Sequence, residues 1–498
     1  MNLSKSRYTR GVQCPKMLWM NEHLPELFDD SVMNEAVLAT GNEVGDLAMG
    51  YFGAFVEVPF DRSDMTGMLT KTQHFLDAGE KVICEASFSY DGNFCSVDIL
   101  RVLDDGVEII EVKSSTSVKD IYYHDVAYQY WVLSHCGLNI IGAYLMHIDN
   151  HYVRNGEQVL QELFALEDLT ARVLKLQDDV SRNIPLFKQM AAAPNEPEIA
   201  IGPQCFDPYP CGFQGHCWQH VPKPNIFELG GVGGAKGFRL LNDGYVTFAD
   251  LMANPGLLNN KQQTQLQAEL FNLPPTINCV EISNFLESLN FPLYFLDFET
   301  YQQAIPAFDG LKPYQQIPSQ YSLHFLQAPG SDLEHREFLA EGGTDPRRPL
   351  AERLCEDIPE RVCVLAYNMS FEKSVLRELA KSFPDLAEHL MAIHDNMLDL
   401  MKPFSKGHYY SREMNGSHSI KSVLPALFPD DPELSYDNLE GIHNGDEAMR
   451  AFAGLDKRSS AEIEEIRAQL LAYCRLDTLA MVRIWQKLRE IIGQGVVD

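Results

Sequence analysis

Between residues 80 and 113, apolar and polar positions alternate in three runs, KVICEASFSY, FCSVDILRVL and VEIIEVKSS, broken at DGN and DDG. A period of two predicts strands, and a glycine close behind aspartate at each break predicts tight hairpins. The period then changes. IYYHDVAYQYWVLSHCG predicts a helix closed by its glycine, IIGAYLMHID another strand, and residues 157–190 one long polar helix. Residues 191–225 lose all periodicity and are dense in Pro, Gly and Cys, which predicts a boundary or a loop-rich clip. Short helices separated by Gly turns are predicted from 226 to about 290, and a strand at PLYFLDFE opens a second α/β region. The expectation is an α/β multidomain chain in three segments, 1–222, 223–288 and 289–498, with no internal repeat.

Composition narrows the class without naming a function. The 498 residues suffice for several cores, and 22% charged residues is ordinary for a soluble protein. A formal charge of −30 argues against indiscriminate adhesion to nucleic acid or to an acidic membrane. It does not exclude an acidic metal centre whose phosphate contacts are confined to one groove. No apolar run approaches the ~20 residues of a membrane span. The first residues, MNLSKSRYTRGVQCPKMLW, lack the apolar core of a secretory signal. Eleven cysteines in a chain this long predict reduced thiols, a cytoplasmic location and room for a metal site.

Two constellations carry candidate chemistry. In the first, Asp98 lies on a predicted strand, and Glu111 and Lys113 follow on the next with one residue between them. Strand geometry puts Glu111 and Lys113 on one face, where carboxylates can hold a divalent ion and the ammonium can act on water. An ExK triplet alone arises by chance in very many chains; Asp98 on a paired strand and Gln129–Tyr130 on the following helix add weight. In the second, Asp297 and Glu299 share a strand face, Glu372 follows on a helix after VCVLAYN, and Tyr473 and Asp477 lie one helical turn apart. Separated carboxylates of this kind suit a pair of Mg²⁺ or Mn²⁺ ions. Asp395 and Asp399 either support the metal ligands from behind or are structural, the structural reading being favoured, while His418 and Lys421 are either phosphate contacts or part of a solvated loop.

The segment CFDPYPCGFQGHC places Cys205, Cys211 and Cys217 at equal intervals, and Cys14 in GVQCPKMLW offers a fourth thiol. Four thiolates can ligate zinc or an iron–sulfur cluster, and buried unligated cysteine is the plain alternative. The wide spacing suits the larger group better than the close pairs of a zinc ribbon.

Taken together, GNEVGDLA, Asp98, Glu111-x-Lys113 and Gln129 resemble the PD-(D/E)XK nucleases of the RecB-like branch over residues 8 to 220. The first-helix ligand departs from that pattern: the position four after Gly41 is Gly45, so either Glu43 or Asp46 substitutes or that metal contact is absent. The four cysteines resemble those of the iron–sulfur members, including the CRISPR-associated adaptation nucleases and the AddB-type domain, which implies a structural [4Fe–4S] cluster. Asp297, Glu299, Glu372, Tyr473 and Asp477 resemble the DEDD exonucleases of the RNase H-like fold, with Glu372 standing where Asp is usual. The whole chain is similar to a bacterial family that pairs the two domains. The resemblance implies a restriction-endonuclease-like core, an RNase H-like mixed-sheet domain and a deoxyribonuclease acting on single strands or free ends. Nucleic acid is the implied partner, DNA ahead of RNA. Asp98, Glu111, Asp297, Glu299 and Asp477 are the implied metal ligands. The alternative is a nucleic-acid-binding protein with one or both centres degenerate. ELGGVGGAKGFRLLNDG resembles a helix–hairpin–helix, beside a plain linker reading.

Overall fold

The computed structural model describes residues 2–32 and 35–494. The chain is α/β with mixed sheets and forms two compact units, Met1–Val221 with Gln303–Tyr314, and Pro222–Gln302 with Gln315–Asp498. Residues 223–288 fall inside the second unit. No helix among the described residues is long and apolar enough to cross a membrane.

In the first unit, helices α1 (Lys5–Gln13), α2 (Pro15–His23) and α3 (Glu35–Ala48) precede the sheet. The three alternating runs form antiparallel strands β1 (Val82–Tyr90), β2 (Asn93–Leu103) and β3 (Gly106–Lys113). Asp91 and Gly92 turn the first hairpin with φ of 45° and 68°, a left-handed pair that only a short polar residue and glycine adopt readily. Helix α4 (Asp120–His135) crosses over to β4 (Ile140–Ile148), which runs parallel to β3. Two-residue strands Leu3–Ser4 and Val56–Glu57 complete a seven-stranded sheet with β5 (Phe164–Asp168).

Strand β5 corrects the expectation of one long helix over 157–190. The stretch breaks into Leu160–Leu163, β5, Thr170–Lys175 and Gln177–Ala191. Pairing with β4 satisfies the backbone of FALED, Phe164 is buried, and the Thr170 hydroxyl accepts the Ala143 N–H at 3.0 Å. A pairing partner distant in sequence outweighed local helical preference.

The second unit holds a five-stranded mixed sheet in the order β8–β7–β6–β9–β10, made of β6 (Leu293–Tyr301), β7 (Ile317–Leu326), β8 (Glu334–Leu339), β9 (Cys363–Ala366) and β10 (Met397–Asp399). The first three are antiparallel, and β9 and β10 run parallel beside β6. Four helices of this unit border its acidic side chains and the cleft next to them: α5 (Gly234–Asn242), α6 (Ser370–Ser382), α7 (Ile420–Leu427) and the long α8 (Ser460–Gln494). Period two sorts β6 cleanly. Tyr294, Leu296 and Phe298 enter one core, whereas Leu293 and Phe295 pack towards α8, with Phe295 6.0 Å from Trp485 ring to ring. Asp297 and Glu299 continue that second face, so the acids extend an apolar stripe that has already docked the helix.

Candidate active centres

The first centre forms where β2, β3 and α4 meet α1. The Asp98 carboxylate accepts the Val112 N–H at 2.7 Å, which ties β2 to the strand that carries Glu111 and Lys113. Lys113 Nζ lies 2.5 Å from Glu111 and 2.9 Å from Asp125, and Gln129 donates to Glu111 at 2.6 Å. Asp125 and Gln129 are four apart on α4 and therefore share one face. Tyr130, next in sequence, packs into the apolar core instead. Lys5 of α1 completes the group: its Nζ is 2.9 Å from both Glu111 oxygens and 3.4 Å from Asp98. Against its burial, Lys113 and Lys5 hold Glu111 far below the ordinary carboxylate range. Burial, and then the charge of Glu111, push Asp98 up to about 6. Three carboxylates thus face two ammonium groups, and the centre is close to self-neutralised.

Glu43 and Asp46 do not join this centre. Helix α3 buries Val44 and Ala48 and leaves both carboxylates exposed. Glu85 of β1 comes nearer. It takes φ of 55° in mid-strand, between the paired positions Cys84–Ile99 and Ala86–Val97, and so lies opposite Asp98. Burial, and then Asp98, push its carboxyl up to about 7.

The second centre gathers Asp297 and Glu299 from β6, Glu372 from α6, and Tyr473, Cys474 and Asp477 from α8. Carboxylate oxygens of Asp297 and Glu299 and the Cys474 sulfur all lie within 4.8 Å of one another. Among the described residues none of the four carboxylates forms an ion pair, and Glu372 Oε2 is buried without any hydrogen-bond partner. Tyr436 donates to Asp477 at 2.5 Å. The cation that acts on Glu299 and Asp477 is Lys421, whose Nζ lies 5.1 Å and 5.4 Å from the ring centres of Tyr436 and Tyr473 and donates to the His443 carbonyl. Burial and mutual repulsion push Asp297 and Glu299 well above the ordinary range. Burial, and then Asp399, push Glu372 up to about 8, and burial raises Asp477 to about 6. Asp399 itself accepts the N–H groups of Asn368 and Met401, both at 3.0 Å, as a loop tie. Asp395 is exposed beside His394, and the His418 carbonyl accepts from Tyr367.

The four cysteines converge in the first unit. Pro15 starts α2 and forces Cys14 into an extended conformation that ends α1, presenting the thiol at the break. Cys205, Cys211 and Cys217 line the same apolar cavity as Cys14, together with Met17, Met20 and Phe213. None forms a disulfide. No three of their sulfurs lie within 4.8 Å of one another, whereas one tetrahedral zinc at about 2.3 Å from each would hold them nearer than ~4 Å. The clip also reaches the first centre. Its Tyr209 hydroxyl lies 3.5 Å from that of Tyr122, and the Tyr122 ring lies under Lys113 Nζ at 5.5 Å.

Sequence reasoning missed Lys5, Asp125, Tyr436 and Cys474. Asp125 and Cys474 each carried a local signal, one turn before Gln129 and inside the YCRLD turn. Lys5 and Tyr436 carried none, because long-range packing alone places them.

Comparison with known proteins adds little chemistry. Residues 294–419 match a family described as Domain of unknown function (DUF2779), a span that holds Asp297, Glu299, Glu372 and Asp399 but not Tyr473 or Asp477. The chain is 24% identical over 223 residues to Uncharacterized protein UU173 of Ureaplasma parvum serovar 3. That match covers 40% of this chain and 32% of the relative, so the chain spans about a third of that protein's length. No solved structure matches the chain.

Proposed function

We propose that the chain is a metal-dependent nuclease that hydrolyses phosphodiester bonds of DNA, with its main active centre in the second unit. The observation that carries this reading is the set Asp297, Glu299, Glu372 and Asp477, four carboxylates that form no ion pair among the described residues, one of them with a buried oxygen that has no hydrogen-bond partner there. Uncompensated buried charge is costly, and a divalent ion is the group that would relieve it. Asp297, Glu299 and Asp477 would hold Mg²⁺ or Mn²⁺, with Glu372 completing the acidic ring. When bound, the metal supplies positive charge for the phosphodiester and for the attacking water. Tyr436 and Tyr473 orient Asp477, and Lys421 brings a cation to the rim where a phosphate arrives. Three antiparallel strands followed by two parallel ones support the RNase H-like reading of this sheet.

In the first unit, antiparallel β1–β3, the α4 crossover and the Asp98–Glu111–Lys113–Gln129 group support the restriction-endonuclease-like reading. Asp98 and Glu111 would hold the metal there. The place of Lys5 on Glu111 favours the second reading for this centre alone, a clamp whose metal position is filled by an ammonium group. Cys14, Cys205, Cys211 and Cys217 would hold a [4Fe–4S] cluster that fixes the ends of the unit and steadies Tyr209. Anaerobically purified protein should then carry iron and sulfide that Cys211→Ser removes; colourless protein with stoichiometric zinc overturns this.

The nuclease reading is tested on end-labelled DNA and RNA with Mg²⁺ or Mn²⁺. Asp297→Ala should lower the cleavage rate roughly 10³-fold, the scale of losing one group from a preorganised site. Asp98→Ala should have a much smaller effect. Wild-type protein that shifts the mobility of every substrate yet leaves it intact would falsify the enzyme reading.

A further inference from the structure

Beside the second centre, and wholly within the second unit, lies an open cleft of about 1290 Å³. That exceeds the roughly 300–1,000 Å³ of a small-molecule pocket. One wall is the Gly-rich turn that resembled a helix–hairpin–helix; the other is the loop 415–419. The two are fixed against each other. A Cβ at Gly230 would lie 2.4 Å from the Gly416 carbonyl, and Gln265 clasps the turn by accepting the Gly230 N–H at 2.7 Å and donating to the Glu228 carbonyl at 2.9 Å. Gly231, at φ of 71°, turns the chain so that Gly233 caps α5. The N–H groups of Gly231 and Gly233 bond to no acceptor among the described residues.

We infer that this cleft holds a single polynucleotide strand of several residues and leads it to the second centre. The inference rests on the nuclease reading above and names the path its substrate takes. Three observations carry it. The lining holds the aromatic side chains of Tyr367 and Tyr410 together with donors from Lys223, Ser417 and His418, the combination that stacks bases and tracks a backbone without reading sequence. The turn adds the Gly231 N–H, which bonds to no acceptor among the described residues, to the wall just ahead of a nine-residue helix, whose N-terminus suits phosphate oxygens. The far end abuts the centre: Tyr367 and Asn368 lead into α6 and Glu372, and Ser419 is followed by Ile420 and Lys421 at the rim. Two carboxylates also line the cleft. Glu228 accepts the Asn225 N–H at 2.8 Å and lies 4.0 Å from Lys223, which offsets its charge, whereas Glu269 opposes a phosphate there.

The test uses the full chain carrying Asp98→Ala and Asp297→Ala, with Ca²⁺, and labelled DNA and RNA oligonucleotides stepped from about two to about twelve nucleotides. Fluorescence anisotropy should show affinity rising with length and then levelling once the cleft is filled. The DNA and RNA arms show which sugar is preferred. Adding Lys223→Glu with Ser417→Asp should weaken the longer strands roughly tenfold or more. Equal affinity with and without those changes overturns the cleft. A strand carrying 5-iodouracil gives a second measurement on unaltered walls: crosslinks should map to peptides bearing Tyr367 or Tyr410, and crosslinks only elsewhere overturn the inference. Hydrolysis by the wild-type chain with Mn²⁺, read across the same lengths, reports the centre. Absence of cleavage at every length sinks the nuclease reading even where strands still occupy the cleft.

Discussion

The two acidic centres are built from the same residue types and solve opposite electrostatic problems. In the first, Glu111 sits between Lys5 and Lys113, Asp125 takes the other side of Lys113, and each of Asp98, Glu111 and Asp125 has a partner. In the second, Asp297, Glu299, Glu372 and Asp477 form no ion pair with any described residue, and Lys421 points its charge at two aromatic rings. A buried site that is already neutral has little use for a divalent ion; one that is not can be stable only with protons or with metal. A motif of acids therefore says less about metal binding than the cations that fold in beside it.

The largest expected effect comes from breaking the neutral centre. Lys5→Met removes one partner from Glu111, which is 1% exposed, while Lys5 keeps 24% exposure. The loss should be about 2–3 kcal/mol of folding stability, somewhat below the range for fully buried pairs. Urea denaturation with and without Mn²⁺ checks it. Mn²⁺ should restore much of the loss in Lys5→Met and give little in the first unit of the wild type. A neutral Lys5→Met would mean that Lys5 does not compensate this centre.

Next comes the response of the second centre to pH and metal. Glu372 titrates near 8 in the folded chain against an ordinary 4.5, with burial as the main cause and Asp399 second. The native state therefore keeps a proton that the unfolded chain has released, so metal-free protein loses stability as pH climbs from about 4.5 towards 8. Asp477, raised to about 6, adds to the lower part of that window. Glu111 contributes in the opposite sense, since its depressed value gives stability present above about 4.5 and lost on acidification. Bound Mg²⁺ or Mn²⁺ should flatten the alkaline loss, by about 2.7 kcal/mol at a hundred times its dissociation constant. Thermal melts at several pH values, with EDTA or Mn²⁺, read both effects. Asp297 and Glu299, also raised, add to the same loss, so Glu372→Gln should reduce it in part; an undiminished loss would assign it to those two carboxylates.

Much of this contrast was out of reach of a linear reading, for a physical reason. Strand and helix periods are local, so Val82–Tyr90, Asn93–Leu103 and Gly106–Lys113 could be placed within a residue or two, and with them the shared face of Glu111 and Lys113. The Y-x₃-D spacing placed Tyr473 and Asp477 on one side of a helix for the same reason. Lys5, more than a hundred positions from Glu111, has no spacing to reveal it, and nor does Tyr436 at Asp477. Strand β5 failed for a related cause, because β4 stabilises it and its own residues do not. Chemistry was legible from the acids, and compensation was not.

The smallest expected effect concerns Glu85, at the edge of the neutral centre. Its φ of 55° is a left-handed conformation in mid-strand, which costs a non-glycine residue about 1 kcal/mol or somewhat more. Glycine adopts that conformation freely, so Glu85→Gly should stabilise the metal-free protein by about 1 kcal/mol, less the entropy that glycine adds to the unfolded chain. Glu85→Ala keeps the backbone cost and removes only the repulsion from Asp98, so it should gain less. Urea midpoints for the two variants separate backbone strain from charge. If alanine gains as much as glycine, the charge of Glu85 opposite Asp98 is the whole cost, and the first centre is less well compensated than its ion pairs imply.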